Sequence, residues 1–321
     1  MLNKIVDKIK NSNKIGITFH TSPDGDSLGS SLALLQILRK LDKESYIICK
    51  ENIPEIFKFL PNSEEISSEI STPKEETDLI IVLDCGNIER INGDIDLNSK
   101  EYDVVNIDHH KSNGNYGSLN YVNTEAAAVS EIIFTLMELL KVELDKDIAT
   151  SLYTSLLTDT GSFRHSGTSK TTHKIAGELI GTGIDFSEIH RSIFDNKPFN
   201  RIKLYGKVID NMELSSDGKI AFIYAKKEYF KELNIEEADT SDLLTFGMKI
   251  DTVEVVVLFK EKDDKLKVSL RSKNFIDVSR ISESYNGGGH VRAAGFVTKL
   301  PFSQIKNDLI FKIESEYRNG L

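Results

Sequence analysis

Val104-Val105-Asn106-Ile107-Asp108-His109-His110 joins a short apolar run to three consecutive titratable residues. The run predicts a β-strand over Val104–Ile107, with the acid and both histidines at its carboxyl end. Histidine is seldom placed at a strand end without a partner, so the triplet points to a site rather than to packing. Outward from it the arrangement recurs. Leu79–Leu83 (LIIVL) has the composition of a strand buried on both faces, and Asp84 follows it directly. Ile15–His20 (IGITFH) ends in a polar cluster, and Ser45–Cys49 (SYIIC) is another β-type run. Ser27–Leu41, Glu125–Leu140 and Ile148–Thr158 carry apolar residues at helical spacing, and Ala126, Ala127 and Ala128 permit close packing. Alternating strand and helix predicts an α/β fold, a mainly parallel sheet with helices on both sides. Ligands bind such sheets at the carboxyl ends of the strands, so His20, Asp84 and Asp108 are expected on one rim.

Length and composition bound the rest. A chain of 321 residues is long enough for two domains. Its 40 basic and 50 acidic residues give a net charge of 40 − 50 = −10. That argues against an electrostatic clamp on long nucleic acid, but not against a small anionic substrate. Cys49 and Cys85 form no CxxC pair and suit a reducing cytosol. The amino-terminal MLNKIVDKIKNSNK is too polar for a signal peptide, and no apolar run is long enough to span a membrane. A soluble cytoplasmic protein is expected.

After about residue 186 the pattern changes. Residues 187–212 look helical and charged and are read as a connection. Ala221–Tyr224, Val253–Phe259 and Leu266–Leu270 are strand-like, with a turn at Lys262-Asp263-Asp264. A second, smaller α+β domain is expected over 213–321. Residues 64–76, polar and serine-rich, are expected to form a surface loop with a short helix.

Four clusters carry the chemistry: His20 with Asp24 and Asp26, then Asp84, then Asp108-His109-His110, then Asp159. Pro23 and Gly25 force a tight loop between His20 and the helix expected from Ser27. The free N–H groups of that helix favour an anion. Taken alone, this loop reads equally well as a helix cap with solvated acids, and Asp84 as a cap for the next segment. Asp159 ends a helix, where a bare carboxylate is disfavoured and a nearby cation is a natural compensation. Together the groups supply ligands for two divalent ions. Carboxylates plus neutral imidazoles suit Mn²⁺ or Mg²⁺, with Zn²⁺ or Co²⁺ also compatible. A pair of ions clamps both sides of an in-line phosphoryl displacement, and one carboxylate must then bridge them.

At these residues the sequence resembles the DHH phosphoesterase superfamily. The matching pieces are HTSPDGDSLGS, VLDCGN, NIDHH and LLTDTGSFR, in the family's order. Asn286-Gly287-Gly288-Gly289-His290-Val291-Arg292-Ala293-Ala294-Gly295 resembles the GGGH motif of the associated DHHA1 domain. The likeness covers nearly the whole chain, and within the superfamily it is greatest to the NrnA-type oligoribonucleases and 3′-phosphoadenosine-5′-phosphate (pAp) phosphatases. It implies a DHH catalytic domain over 1–186 and a DHHA1 substrate-binding domain over 213–321. It implies that His20 and Asp24 hold one ion, that Asp26, His109 and Asp159 hold the other, and that Asp84 bridges. Asp108 is expected to orient His109, His110 to contact the scissile phosphate or the nucleophile, and Arg164 to assist. Mn²⁺ is the expected metal, with Mg²⁺ or Co²⁺ as alternatives.

In the second domain, glycines let backbone N–H groups approach an anion closely. His290 adds a donor, and an arginine at a strand end can clamp a phosphate bidentately. With the likeness, Arg271, Ser272, Gly287, Gly288, Gly289 and His290 are expected to bind substrate. Two domains on a connector suggest a cleft that closes on it. His165, His173 and His190 are expected in surface or packing roles. The implied activity is hydrolysis of very short single-stranded RNA to mononucleotides and of pAp to AMP, with no membrane or long-duplex partner and with homodimerisation left open. The alternatives are a phosphodiesterase for cyclic-di-AMP or pApA on the same scaffold, and a non-catalytic nucleotide sensor. A sensor would be expected to lack a metal ligand, and none is missing.

Overall fold

A computed structural model describes residues 1–235, 240–262 and 264–319. The chain divides into two compact units, Met1–Asn196 and Lys197–Leu321.

The first unit runs α1 (Leu2–Asn11), β1 (Lys14–Thr18), α2 (Gly25–Arg39), β2 (Glu44–Ile47), β3 (Leu79–Leu83), β4 (Asp103–Asp108), β5 (Leu119–Val122), α3 (Val129–Leu140), α4 (Lys146–Asp159), α5 (Lys170–Gly181) and α6 (Phe186–His190). Its five strands are all parallel, in the order β2-β1-β3-β4-β5. The order reverses between β1 and β3, which opens a crevice at their carboxyl ends. His20 lies just beyond β1 and Asp84 just beyond β3, so both border that crevice. All five residues of β3 are buried, as a strand covered on both faces requires.

Helix α2 is buried along almost its whole length. It packs on α4 so closely that a Cβ on Gly29 would come within 2.4 Å of the Ser151 carbonyl oxygen. This approach brings the end of α4, and hence Asp159, towards the start of α2. Helix α3 begins at Val129, four residues later than the sequence suggests. The loop expected over 64–76 contains only a short 3₁₀ turn, Ser63–Glu65, at its edge.

Residues 187–212 fold as the rest of α6, a π-helical turn over Arg191–Asp195, and α7 (Phe199–Asp210). The division between the units falls within them. The second unit continues with β6 (Glu213–Leu214), β7 (Ile220–Ala225), α8 (Lys227–Glu232), α9 (Leu244–Met248), β8 (Val255–Lys262), β9 (Lys265–Ser272), α10 (Val278–Glu283), β10 (Gly288–His290), β11 (Ala293–Thr298) and α11 (Phe302–Asn319). Its six strands are ordered β10-β11-β9-β8-β7-β6 and are antiparallel except for β7 with β8. Alternation along the strands gives the sheet two apolar faces. Phe222, Val257 and Leu270 pack with Ile305 and Leu309 of α11, while Ile223 and Leu258 pack with Leu204 and Val208 of α7. Of the turn expected at Lys262-Asp263-Asp264, Asp263 lies outside the described residues. Among the described residues, no helix is long and apolar enough to cross a membrane.

Candidate metal centre

Asp84 is buried and stands at the crevice between β1 and β3, its backbone in the left-handed region at φ 52°. Its two carboxylate oxygens face different histidines. Oδ2 lies 3.4 Å from His20 Nε2, and Oδ1 lies 3.6 Å from His109 Nε2 and 3.5 Å from His110 Nδ1. Oδ1 has no hydrogen-bond partner although it is buried. An unsatisfied carboxylate oxygen of that kind is costly unless something cationic meets it.

Among the described residues three groups form here, each with ligand atoms within 4.8 Å of one another: His20, Asp24 and Asp84; Asp26, His109 and Asp159; and Asp84, His109 and His110. In the first, His20 Nδ1 donates to the Thr21 carbonyl at 2.9 Å, which leaves Nε2 facing Asp24 at 3.6 Å. Asp24 also caps α2, its Oδ1 accepting the N–H groups of Asp26 and Ser27 at 3.1 Å. The helix-cap reading of this loop is therefore correct, and the oxygen that caps the helix is also the one that faces His20. In the second cluster, His109 Nε2 lies 3.7 Å from Asp26 and 3.6 Å from Asp159.

Asp26 is buried and held from three helices. It accepts Ser30 Oγ of α2 at 3.1 Å, Ser155 Oγ of α4 at 2.5 Å, and the Val129 N–H that opens α3 at 3.0 Å. That last bond explains the late start of α3: a carboxylate from elsewhere in the chain meets its first free N–H. Ser30 lies in the quoted motif without an assigned role, and neither Ser155 nor Val129 was signalled by the sequence, because each of their contacts joins segments more than a hundred residues apart.

The Asp108 contacts differ from expectation. Asp108 Oδ1 accepts the backbone N–H of His109 at 2.7 Å, but the His109 ring instead meets the Ala126 carbonyl through Nδ1 at 3.1 Å. The ring that Asp108 orients is that of His110, which donates from Nδ1 at 2.7 Å, while Asn113 donates to Oδ2 at 2.5 Å. The same Nδ1 lies 3.5 Å from Asp84 Oδ1, and the bond to Asp108 leaves Nε2 as the other ring nitrogen.

The electrostatics follow from crowding. Burial first, then the charges of Asp84, Asp159 and Asp24, holds the Asp26 carboxyl well above the usual range. Burial also raises Asp84, with the Asp24 charge adding and the His20 hydrogen bond opposing. Burial with the charges of Asp84 and Asp24 brings Asp159 to about 6, against the attraction of His109 and His110. Burial disfavours protonated His20, yet Asp24 and Asp84 outweigh it and raise the imidazole to about 10. Asp108 is lowered, because hydrogen bonds from His110 and Asn113 overcome its burial. Protons are thus drawn into a space that divalent cations would neutralise better, and cation binding would release them.

In the second unit, Arg271, Gly288 and His290 line an open groove of about 420 Å³ with Lys267 and Ser269. Ser272 points to the other side of β9, as strand alternation requires. It is buried, and its hydroxyl donates to the Ile276 carbonyl at 2.6 Å, so it does not share the groove. The three glycines differ too. A Cβ on Gly287 would meet the Gly295 carbonyl at 2.4 Å and one on Gly289 the Ala293 carbonyl at 2.4 Å, whereas Gly288 has open space. Gly287 and Gly289 let the chain lie against β11, and Gly288 faces open space. Tyr285 stacks on Phe296 at 4.2 Å. His173 stacks on Phe163 at 5.2 Å, His190 packs at 5.0 Å from Phe194, and His165 bonds the Asp159 carbonyl at 3.0 Å.

Comparison with known proteins gives the same division. The N-terminal domain of the DHH family matches residues 14–156, and the DHHA1 domain matches residues 218–317. The bifunctional oligoribonuclease and PAP phosphatase NrnA of Thermus thermophilus is 32% identical over 89% of this chain and 84% of its own length. The probable enzyme of the same name from Streptococcus mutans is 34% identical over 91% of each chain. The crystal structure of an exopolyphosphatase-related protein from Bacteroides fragilis superposes with a TM-score of 0.88 at 26% identity, covering 98% of this chain and 95% of that one. With both domains matched in order, the chain belongs to the DHH family of proteins that carry a DHHA1 domain.

Proposed function

We propose that this chain is a two-metal phosphoesterase that degrades very short single-stranded RNA to mononucleotides and converts pAp to AMP in the cytoplasm. The observation that carries the reading is Asp84, a buried carboxylate whose two oxygens face two separate acid-and-imidazole clusters. Relatives named for both activities match along most of their length and support it.

The residues fit a pair of divalent ions, because the unpartnered Asp84 oxygen and the gathered carboxylates are otherwise uncompensated. One ion would be held by His20, Asp24 and Asp84, the other by Asp26, Asp84, His109 and Asp159. Mn²⁺ is the proposed metal, and oxygen and nitrogen donors suit it. Bound there, the ions would supply charge neutralisation at the entering and leaving oxygens of the phosphate. The protein's own groups do the rest. Asp108 fixes the His110 ring, whose Nε2 is placed to hydrogen-bond the scissile phosphate or to move a proton at it. Ser30, Ser155 and the start of α3 hold Asp26 so that it need not reorganise. Arg271, Gly288 and His290 of the DHHA1 domain are assigned to holding the nucleotide.

The test is Mn²⁺-dependent turnover on pAp, an RNA dimer and pentamer, a long RNA, cyclic-di-AMP, pApA and pyrophosphate. Fastest cleavage of the short RNAs together with pAp hydrolysis is expected. A clear preference for cyclic-di-AMP or pApA would replace the reading with a signalling phosphodiesterase, and nucleotide binding without turnover would replace it with a sensor.

A further inference from the structure

Arg90 stands at the mouth of the metal centre and takes no part in the functions assigned so far. Its backbone is fastened to the His20 loop. The Arg90 carbonyl accepts the Thr21 N–H at 2.7 Å, the Asn92 N–H donates to the Phe19 carbonyl at 2.7 Å, and Ile91 pairs with His20 in an isolated bridge. A 3₁₀ turn over Ile88–Arg90, capped by Asn87, sets the direction in which the side chain leaves. Its guanidinium lies 3.2 Å from His20 Nδ1 and donates to the Thr21 carbonyl at 3.3 Å. His20 Nδ1 itself donates to that carbonyl, so the two groups share an acceptor rather than bond each other.

Two features point outward. The guanidinium is exposed, and among the described residues it has no carboxylate partner within ion-pair distance. In a chain of net charge −10, an arginine held beside His20 without an acid is available for an anion that arrives from solution. The second feature is its side of the ring. His20 Nε2 faces the carboxylates of Asp24 and Asp84, while Arg90 is on the Nδ1 side. The imidazole therefore separates Arg90 from the place where the reacting phosphate must lie.

We propose that Arg90 is a specificity-determining residue that binds a second, non-reacting phosphate of the substrate. This rests on the reading that the substrate is a nucleotide phosphate ester, and it adds which substrates are preferred: those with another phosphate next to the one that is cleaved. Both pAp and a 5′-phosphorylated dinucleotide have that group, and an unphosphorylated dinucleotide lacks it.

The experiment compares kcat/KM on pApA and on ApA, with Mn²⁺, for the wild type, Arg90→Gln and Arg90→Lys. Wild type is expected to prefer pApA. Arg90→Gln should cut that preference roughly tenfold, the worth of a charge-assisted hydrogen bond, mainly through KM on pApA. Arg90→Lys should restore part of it, because it keeps the charge without the fork. Mn²⁺ affinity, titrated calorimetrically, should be the same in all three. Equal losses on both substrates, or weakened Mn²⁺ binding, would show that Arg90 acts through His20 and would overturn the proposal. An unchanged preference would overturn it as well. Absence of turnover on every phosphate ester would instead remove the catalytic reading, and this proposal with it.

Discussion

In the first unit, Asp26 and Asp84 are buried and the groups around them come from the ends of strands and helices that converge at one crevice. In the second, Arg271, Gly288 and His290 lie along an open groove on the surface of a sheet. The metal centre is therefore held by interactions made whether or not a ligand is present, such as the Ser155 and Val129 bonds to Asp26. The groove takes its shape in part from backbone pairing between β10 and β11. The first arrangement presents charge at fixed points through burial, and the second leaves an open surface that is proposed to hold the nucleotide. Damage to the first is expected in the rate and damage to the second in affinity.

The largest effect should come from Asp84→Ala. Loss of the carboxylate whose oxygens face both clusters should lower kcat by roughly 10³-fold or more even at saturating Mn²⁺. Metal titration should show fewer bound ions, and near-normal turnover in the loaded variant would sink the two-metal reading. Asp108→Asn comes next. It keeps the shape but removes the negative acceptor of the His110 ring, and kcat should fall about 10–100-fold while metal stoichiometry is unchanged. Loss of metal in that variant would mean that Asp108 supports the centre through the His109 backbone instead. Arg271→Ala should raise KM about tenfold and change kcat much less. An unchanged KM would take the arginine out of the substrate groove. The smallest effect, and the sharpest contrast within one motif, is expected from the glycines. Gly288→Ala should leave thermal stability within about 0.5 kcal/mol and act only on KM. Gly287→Ala should destabilise by about 1–3 kcal/mol, because its Cβ would collide with the β11 backbone. Equal denaturation midpoints for the two variants would contradict that division.

Much of the first unit was legible because its chemistry sits at strand ends marked by composition. Leu79–Leu83 needed only its apolar run, and Asp84 only its place after it. β5 gave no such signal: LNYV is half-buried and interrupted by Asn120, and it forms at the edge because β4 offers it a partner. β10 contains two glycines and acquires strand structure only against β11. The proposed metal ligands were named by motif, yet the groups that hold Asp26, and the exchange of His109 for His110 as the partner of Asp108, depend on distances in the fold. Ser272 was misplaced for a simpler reason. Adjacent residues on a strand face opposite sides, so Arg271 and Ser272 were never able to share one surface.

The left-handed backbone of Asp84 limits how this protein can diverge. Glycine, asparagine and aspartate adopt that conformation at least cost, and a β-branched side chain there would add strain to its loss of chemistry. The replacements with least backbone cost are Asn, which keeps the shape and removes the charge, and Gly, which removes both. Each leaves the sheet, the crevice and the second unit's groove in place. Descent from this scaffold thus has a short path to a protein that still folds and still holds a nucleotide but no longer turns it over.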